Sequence, residues 1–401
     1  MASVQYREIA GRNGAYYALL GVLGALVAAG LAAAWAMEHQ GHYITGMSNR
    51  IVWGTPHVFA VFLIVAASGA LNVASIASVF GRDFYKPLAR LSGLLAMTLL
   101  AGGLAVLVLD LGRPDRLIVA MTHYNFKSIF AWNIFLYTGF FAVVALYLLT
   151  MFERRMNGYS SRAGLFAFFW RLVLTTGTGS IFGFLVAREA YYGALLPPLF
   201  ISMSFSFGLA VFVLVLMAAC RLGGRELGEM PLQRLGRLLG IFVAAVLYFV
   251  VLYHLVNLYV TRQHDLERFL LLDGGVYTAL FWLGQILVGG IVPLVLLFGR
   301  ASGRSSRAIA AAALCVIAGG LAQLYVIIIG GQAYPQRIFP GKDVSSRAFD
   351  GVVAAYAPSL PEIALGVGGV ALALVLTVVA LRVLPFLPRS LADADVVQRA
   401  G

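Results

Sequence analysis

His57 opens one long apolar run of the chain, Asp110 closes the next, and His123 lies in the polar segment that follows. An imidazole titrates near physiological pH and can give a proton to a bound group or take one from it, and a nearby carboxylate can relay that proton. The surrounding residues are also unusual for an apolar chain. Trp53-Gly54-Thr55-Pro56 leads into His57, and Asp110-Leu111-Gly112-Arg113-Pro114-Asp115-Arg116 makes a charged turn. His123-Tyr124-Asn125-Phe126-Lys127-Ser128 precedes Trp132, while Glu38, His39, His42, Asn49 and Arg50 stand upstream.

A ligand suited to this set has two oxygens that accept hydrogen bonds, takes up two protons with two electrons, and is otherwise apolar. A quinone headgroup has these properties. His57 or His123 would donate to a carbonyl and Asp110 would relay protons, with Trp53, Tyr124, Phe126 and Trp132 as walls. A belt of Trp, Tyr and Arg anchoring helix ends among lipid headgroups accounts for the residues one at a time. It does not call for two histidines, an aspartate and paired arginines in neighbouring loops.

The elements that hold these residues are membrane helices. Of 401 residues, 61% are apolar and 11% charged, whereas a soluble domain carries about a quarter charged residues. Ten apolar spans are expected, at 15–37, 56–79, 87–110, 128–151, 164–186, 197–220, 235–259, 276–298, 308–330 and 363–384. Each reaches the roughly 20 residues a helix needs to cross hydrocarbon, where only helices and closed barrels satisfy the backbone. Arg7 and Arg12 before the first run resemble the start of a signal peptide. The run is about twice the usual signal-peptide core, so it reads as an uncleaved helix.

Charge fixes the expected orientation. The termini and the loops near Arg82, Arg154, Arg225 and Arg304 carry 18 Lys and Arg against 7 acids; the opposite loops carry 10 against 10, and Arg171 lies inside the fifth span. The positive-inside rule places the first face, with both termini, in the cytoplasm. The net charge of +12 is therefore a topology signal and not a nucleic-acid footprint. Cys220 and Cys315 have no metal-like spacing and cannot hold an iron–sulfur cluster in this chain.

A duplication is expected. Pro87-Leu88-Ala89-Arg90-Leu91 before the third span matches Pro231-Leu232-Gln233-Arg234-Leu235 before the seventh at an offset of 144, and Pro56 matches Pro198 at 142. Trp132 and Trp282 hold similar places in the fourth and eighth spans. Parallel four-helix repeats follow, with a first bundle at 1–155, a second at 156–300, and two added helices at 301–401. The same offset takes Asp110 to His254. Arg171, Arg188, Glu189 and His254 then suggest a proton path in the second bundle. Snorkelling of Arg171 and a simple interhelical bond at His254 are the structural alternative.

The turn Asp110-Leu111-Gly112-Arg113-Pro114, followed by Asn125, Ser128 and Trp132, resembles the NrfD/polysulfide-reductase membrane-subunit family. The segment Thr45 to Ser78, with Asn49, Trp53-Gly54, Pro56-His57, Gly69 and Asn72, is most similar to the ten-helix DsrP branch of sulfur-metabolism complexes. The resemblance implies a menaquinone or ubiquinone site near the outer surface, to which Arg113, Asn125 and Ser128 would add contacts. It implies electron exchange with a periplasmic ferredoxin-like Fe–S subunit, further membrane and cytochrome subunits, and residence in a bacterial cytoplasmic membrane. A secondary transporter, or a proton-translocating subunit without quinone chemistry, is the alternative, although carriers usually show inverted repeats and helices broken at mid-membrane. A haem anchor would need paired axial ligands, and only His57 and His254 lie within spans.

Overall fold

The computed structural model describes residues 4–9, 13–299, 305–335 and 352–394; the loop around Arg304 and part of the expected loop from Gly331 to Glu362 lie outside them. Among the described residues, ten helices have the length and composition to cross a membrane, and the chain is an all-α, multi-pass membrane protein. In chain order they are α1 (Gly14–Gln40), α2 (Thr55–Ser78), α3 (Asp83–Leu109), α4 (Ile129–Phe152), α5 (Arg154–Gly183), α6 (Leu196–Leu222), α7 (Glu229–Tyr259), α8 (Val276–Phe298), α9 (Ser306–Ala333) and α10 (Leu360–Val383). Their centres coincide with the expected spans. The largest differences at an end are α5 and α7, which begin earlier as polar turns continue into the helix.

The packing departs from the expected division at residues 155 and 300. One ring is α2, α3, α4 and α5, and a second is α6, α7, α8 and α9. The added helices are thus α1 and α10, which pair with each other and lean on α2 and α3. The reason is local shape. Gly30 and Gly368 meet backbone to backbone, so a Cβ at Gly30 would lie 2.9 Å from the Gly368 Cα. Chain order alone does not record that contact.

α2 and α6 form the centre and are the most buried helices. They cross at Gly69 and Gly208, where a Cβ on either would overlap the other helix's backbone. Small residues at such crossings let membrane helices gain van der Waals contact where no hydrophobic drive exists between them. α2 breaks at Leu71, and Ser92 of α3 repairs it: its Oγ donates to the Ala70 carbonyl at 2.7 Å and accepts from the Ala74 N–H at 3.0 Å.

The two ends of the chain meet on one side. Strand β1 (Tyr6–Arg7) pairs antiparallel with β2 (Leu387–Pro388). Arg225, from the α6–α7 loop, donates to the Leu387, Pro388, Arg7 and Glu8 carbonyls at 2.6–2.9 Å. This clamp lies at the opposite end from His57 and Asp110, which face the α1–α2 and α3–α4 loops.

Candidate functional site

Three polypeptide turns converge at the end of the first ring that carries the α1–α2 and α3–α4 loops. Gly54 caps α2 with Pro56 in the first turn, which fixes His57 one turn into the helix. Asp110 closes α3, its N–H bonded to the Val106 carbonyl at 3.0 Å. Gly112 then takes φ +68°, a left-handed conformation that suits glycine, and the chain turns back beneath His42.

His57 Nδ1 lies 2.9 Å from Asp110 Oδ2, and His42 Nε2 lies 3.9 Å from Oδ1. The Asp110 side chain is 1% exposed, against 20% for His57 and 31% for His42. Although His57 and Asp110 are close, their approach is not that of an aligned hydrogen bond. Both Asp110 oxygens, His57 Nδ1 and His42 Nε2 remain without a hydrogen-bond partner among the described residues. Buried polar groups are nearly always satisfied, so four unmet atoms facing one another mark a place for water or a ligand.

Trp53 supplies the wall. Its ring stacks on His57 and Tyr191 with centroids at 6.1 and 6.0 Å, and meets Phe182 edge-on at 5.7 Å. Tyr191, fully buried, donates to the Ile328 carbonyl. Burial raises the Tyr191 phenol pKa, so it remains a neutral donor. Gln332 holds the Trp53 backbone from α9, and Arg188 donates to the Gln332 and Arg50 carbonyls at 3.1 and 2.9 Å. Arg188 therefore belongs with this first site.

The other expected site residues form a separate group. His123 is exposed and bonded to Thr122 Oγ1 at 3.0 Å. Asn125 Oδ1 accepts from the Lys127 N–H at 3.0 Å, and the Asn125 carbonyl accepts from the Ser128 N–H at 2.9 Å. Trp132 Nε1 donates to the Phe126 carbonyl at 2.9 Å, and Tyr124 stacks on Phe135 at 4.3 Å. Arg113 pairs with Asp115 at 3.3 Å on the surface, which lowers the Asp115 carboxyl pKa. Phe130, two residues before Trp132 in α4, has its ring 6.1 Å from that of Trp53.

The four residues expected to mark a proton path are not joined by any hydrogen bond or ion pair among the described residues. Arg171 is buried where α5 meets α2 and α6, its guanidinium 4.9 and 5.0 Å from the Phe168 and Phe205 ring centres and 3.5 Å from the Ser68 carbonyl. It does not reach a surface. Glu189 pairs with Arg262 at 3.6 Å. His254 Nδ1 lies 2.6 Å from Glu267 Oε2. The two histidines within spans thus face separate carboxylates in separate rings.

The family model described as "Polysulphide reductase, NrfD" matches residues 43–336. The chain belongs to this family. It is 29% identical to the Hdr-like menaquinol oxidoreductase integral membrane subunit of Archaeoglobus fulgidus, over 96% of this chain and 97% of that protein. It is 29% identical to a putative dimethyl sulfoxide reductase membrane subunit of Halobacterium salinarum, over 95% and 94%. A polysulfide reductase polypeptide of Wolinella succinogenes is 27% identical, over 71% of this chain and 96% of its own length. The relatives belong to different oxidoreductases, so family membership does not single out the DsrP branch.

Sequence reasoning missed two residues that matter here, Gln332 and Glu267, which reach their partners only through the fold. His42 stood in view but apart from Asp110. Glu267 gave no distinct signal, because it sits in the polar run Thr261–Arg268 among Arg262, His264, Asp265 and Arg268.

Proposed function

We propose that this chain is the quinone-reactive membrane subunit of a multisubunit oxidoreductase, exchanging electrons between the membrane quinone pool and an Fe–S partner on the outer face. The observation that supports it best is the buried His57–Asp110–His42 group with four unmet polar atoms beside the Trp53 wall. Imidazole donors, a carboxylate and aromatic surface match the headgroup's needs. A quinol brings two electrons and two protons to such a site.

His57 would hold one headgroup oxygen and Asp110 would receive a proton through it. His42, the most exposed of the three, would pass that proton to the outer water. Trp53 and Tyr191 exclude water from the far side. The exposed knot of Tyr124, Phe126, Trp132 and Lys127, with Arg113, would seat the Fe–S partner. A bacterial cytoplasmic membrane and a sulfur-compound respiratory complex fit the charge bias and the polysulfide reductase relative.

The test is quinol turnover by the intact complex. His57→Ala and Asp110→Asn should each lower it by about 10²- to 10⁴-fold, the range for general acid–base groups, with the complex still assembled. Normal turnover in both variants would rule the site out.

A further inference from the structure

The second ring contains a buried titratable pair that the quinone chemistry of the first does not use. Glu267, on the short turn His264–Arg268 after α7, is fully buried. Its Oε2 lies 2.6 Å from His254 Nδ1, and its Oε1 accepts from Asn257 Nδ2 at 2.8 Å. Both oxygens of Glu267 are thus satisfied by protein, whereas neither oxygen of Asp110 is. Unmet capacity suits a ligand. A closed carboxylate–imidazole pair that shares a proton suits storage and transfer.

Polar lining continues inward from this pair. Phe281 of α8 packs against the His254 ring at 4.8 Å, and Gln285 lies one turn deeper on the same helix. Gln285 faces a cavity of about 20 Å³ in the middle of the second ring, with Ser206 of α6, Gln323 of α9 and Val250, one turn below His254, in its wall. Gln323 is 2% exposed, and its Nε2 has no hydrogen-bond partner among the described residues. A cavity of this size holds one water, which needs such partners. The wall is also built unusually: α8 is π-helical from Leu280 to Ile291, a form that is rare and frequent at functional sites.

We propose that Glu267, His254 and a water held by Gln285, Gln323 and Ser206 form a proton-conducting segment through the outer half of the second ring. It works alongside quinone turnover in the first ring and rests on that reading for its driving reaction. Each passage moves one proton and no electron. A proton arriving on the cavity water passes to His254, and the Glu267–His254 pair gives up the one it shared toward the outer end, adding to the protons released there by the quinol. The gap from His254 to the cavity is one helical turn, about 6 Å, bridged by imidazole rotation or a second water. Tyr253 and the Arg262–Glu189 pair are neighbouring titratable groups at the outer end.

The experiment uses the complex purified through this chain with its natural partners, sealed in liposomes, with menadiol as electron donor and an added one-electron acceptor that takes up no proton. Quinol oxidation at the outer face releases one proton per electron by its own chemistry. The wild type should exceed one. Glu267→Gln and Gln285→Leu should both return the ratio to one while menadiol turnover in detergent stays within about twofold of wild type. Gln285→Leu leaves the ion pair intact, so it reports on the path if Glu267→Gln fails to assemble. A wild-type ratio of one, or equal ratios above one in wild type and assembled variants, overturns the proposal. No menadiol oxidation by the wild-type complex would overturn the quinone reading and this proposal with it.

Discussion

Gln332 grips the backbone of Trp53 with both ends of its amide. Oε1 accepts from the Val52 and Trp53 N–H groups at 2.9 and 3.0 Å, and Nε2 donates to the Trp53 carbonyl at 2.9 Å. A loop that would otherwise leave three polar groups unmet is therefore fixed from α9, and the Trp53 ring is fixed with it.

Gln332→Leu should loosen that wall. Each net hydrogen bond is worth about 1 kcal/mol, so kcat/KM for quinol should fall about tenfold or more, chiefly through KM. Steady-state kinetics on the assembled complex checks this. An unchanged KM would show that Trp53 needs no support from α9.

The graded exposure of the three site residues separates their roles. Asp110 is sealed and His42 is partly open, so on the proposed reading a proton leaving Asp110 would reach water through His42. His42→Ala should reduce turnover by about tenfold, at the weak end of acid–base contributions, and added imidazole should restore part of it. No rescue by imidazole would mean that His42 acts by shape alone.

Features that depend on local composition were legible in the sequence. Span lengths, the charge bias and the His57–Asp110 pairing all follow from residues near the ends of adjacent apolar runs. Features that depend on which helices touch were not. Nothing in the run Gly14–Gln40 says that its partner is Leu360–Val383 rather than its sequence neighbour, because a Gly–Gly contact carries no pattern of its own. His123 was grouped with His57 because both flank the same outer face, yet it stands in the surface knot. The expected second bundle puts Arg171 with His254, but the Arg171 cation sits between two Phe rings at another contact.

Gly112 allows a test of backbone geometry. Its φ of +68° and the His42 Cε1 at 3.2 Å from a would-be Cβ both oppose a side chain. Gly112→Ala should destabilise the turn by about 1–2 kcal/mol, the cost of left-handed backbone for an L-residue, and displace His42. Thermal unfolding and turnover should fall together. A variant with full activity would show that the turn has slack.

The last prediction concerns α10, which lies beyond the residues matched by the family model. Tyr356, just before it, accepts the Thr55 N–H at 2.7 Å and donates to Glu362 Oε1 at 2.6 Å. Glu362 Oε2 in turn accepts from the Gly46 and Ser359 N–H groups, both at 2.8 Å. The latch ties α10 to the loop that carries Trp53 and His57. Tyr356→Phe leaves a donor and a carboxylate oxygen unmet, a cost of about 1–3 kcal/mol. Burial, helped by the bond to Glu362, raises the phenol pKa above its ordinary value of 10. The folded chain therefore keeps this proton above pH 10, where the unfolded chain loses it. Stability from Tyr356 is full below pH 10 and declines above it by up to about 1.4 kcal/mol per pH unit. Thermal unfolding in detergent should show wild type well above Tyr356→Phe at pH 7, with the two converging toward pH 11. A gap that stays constant with pH would mean that the phenol titrates alike in the folded and unfolded chain, and that packing of the ring holds the latch.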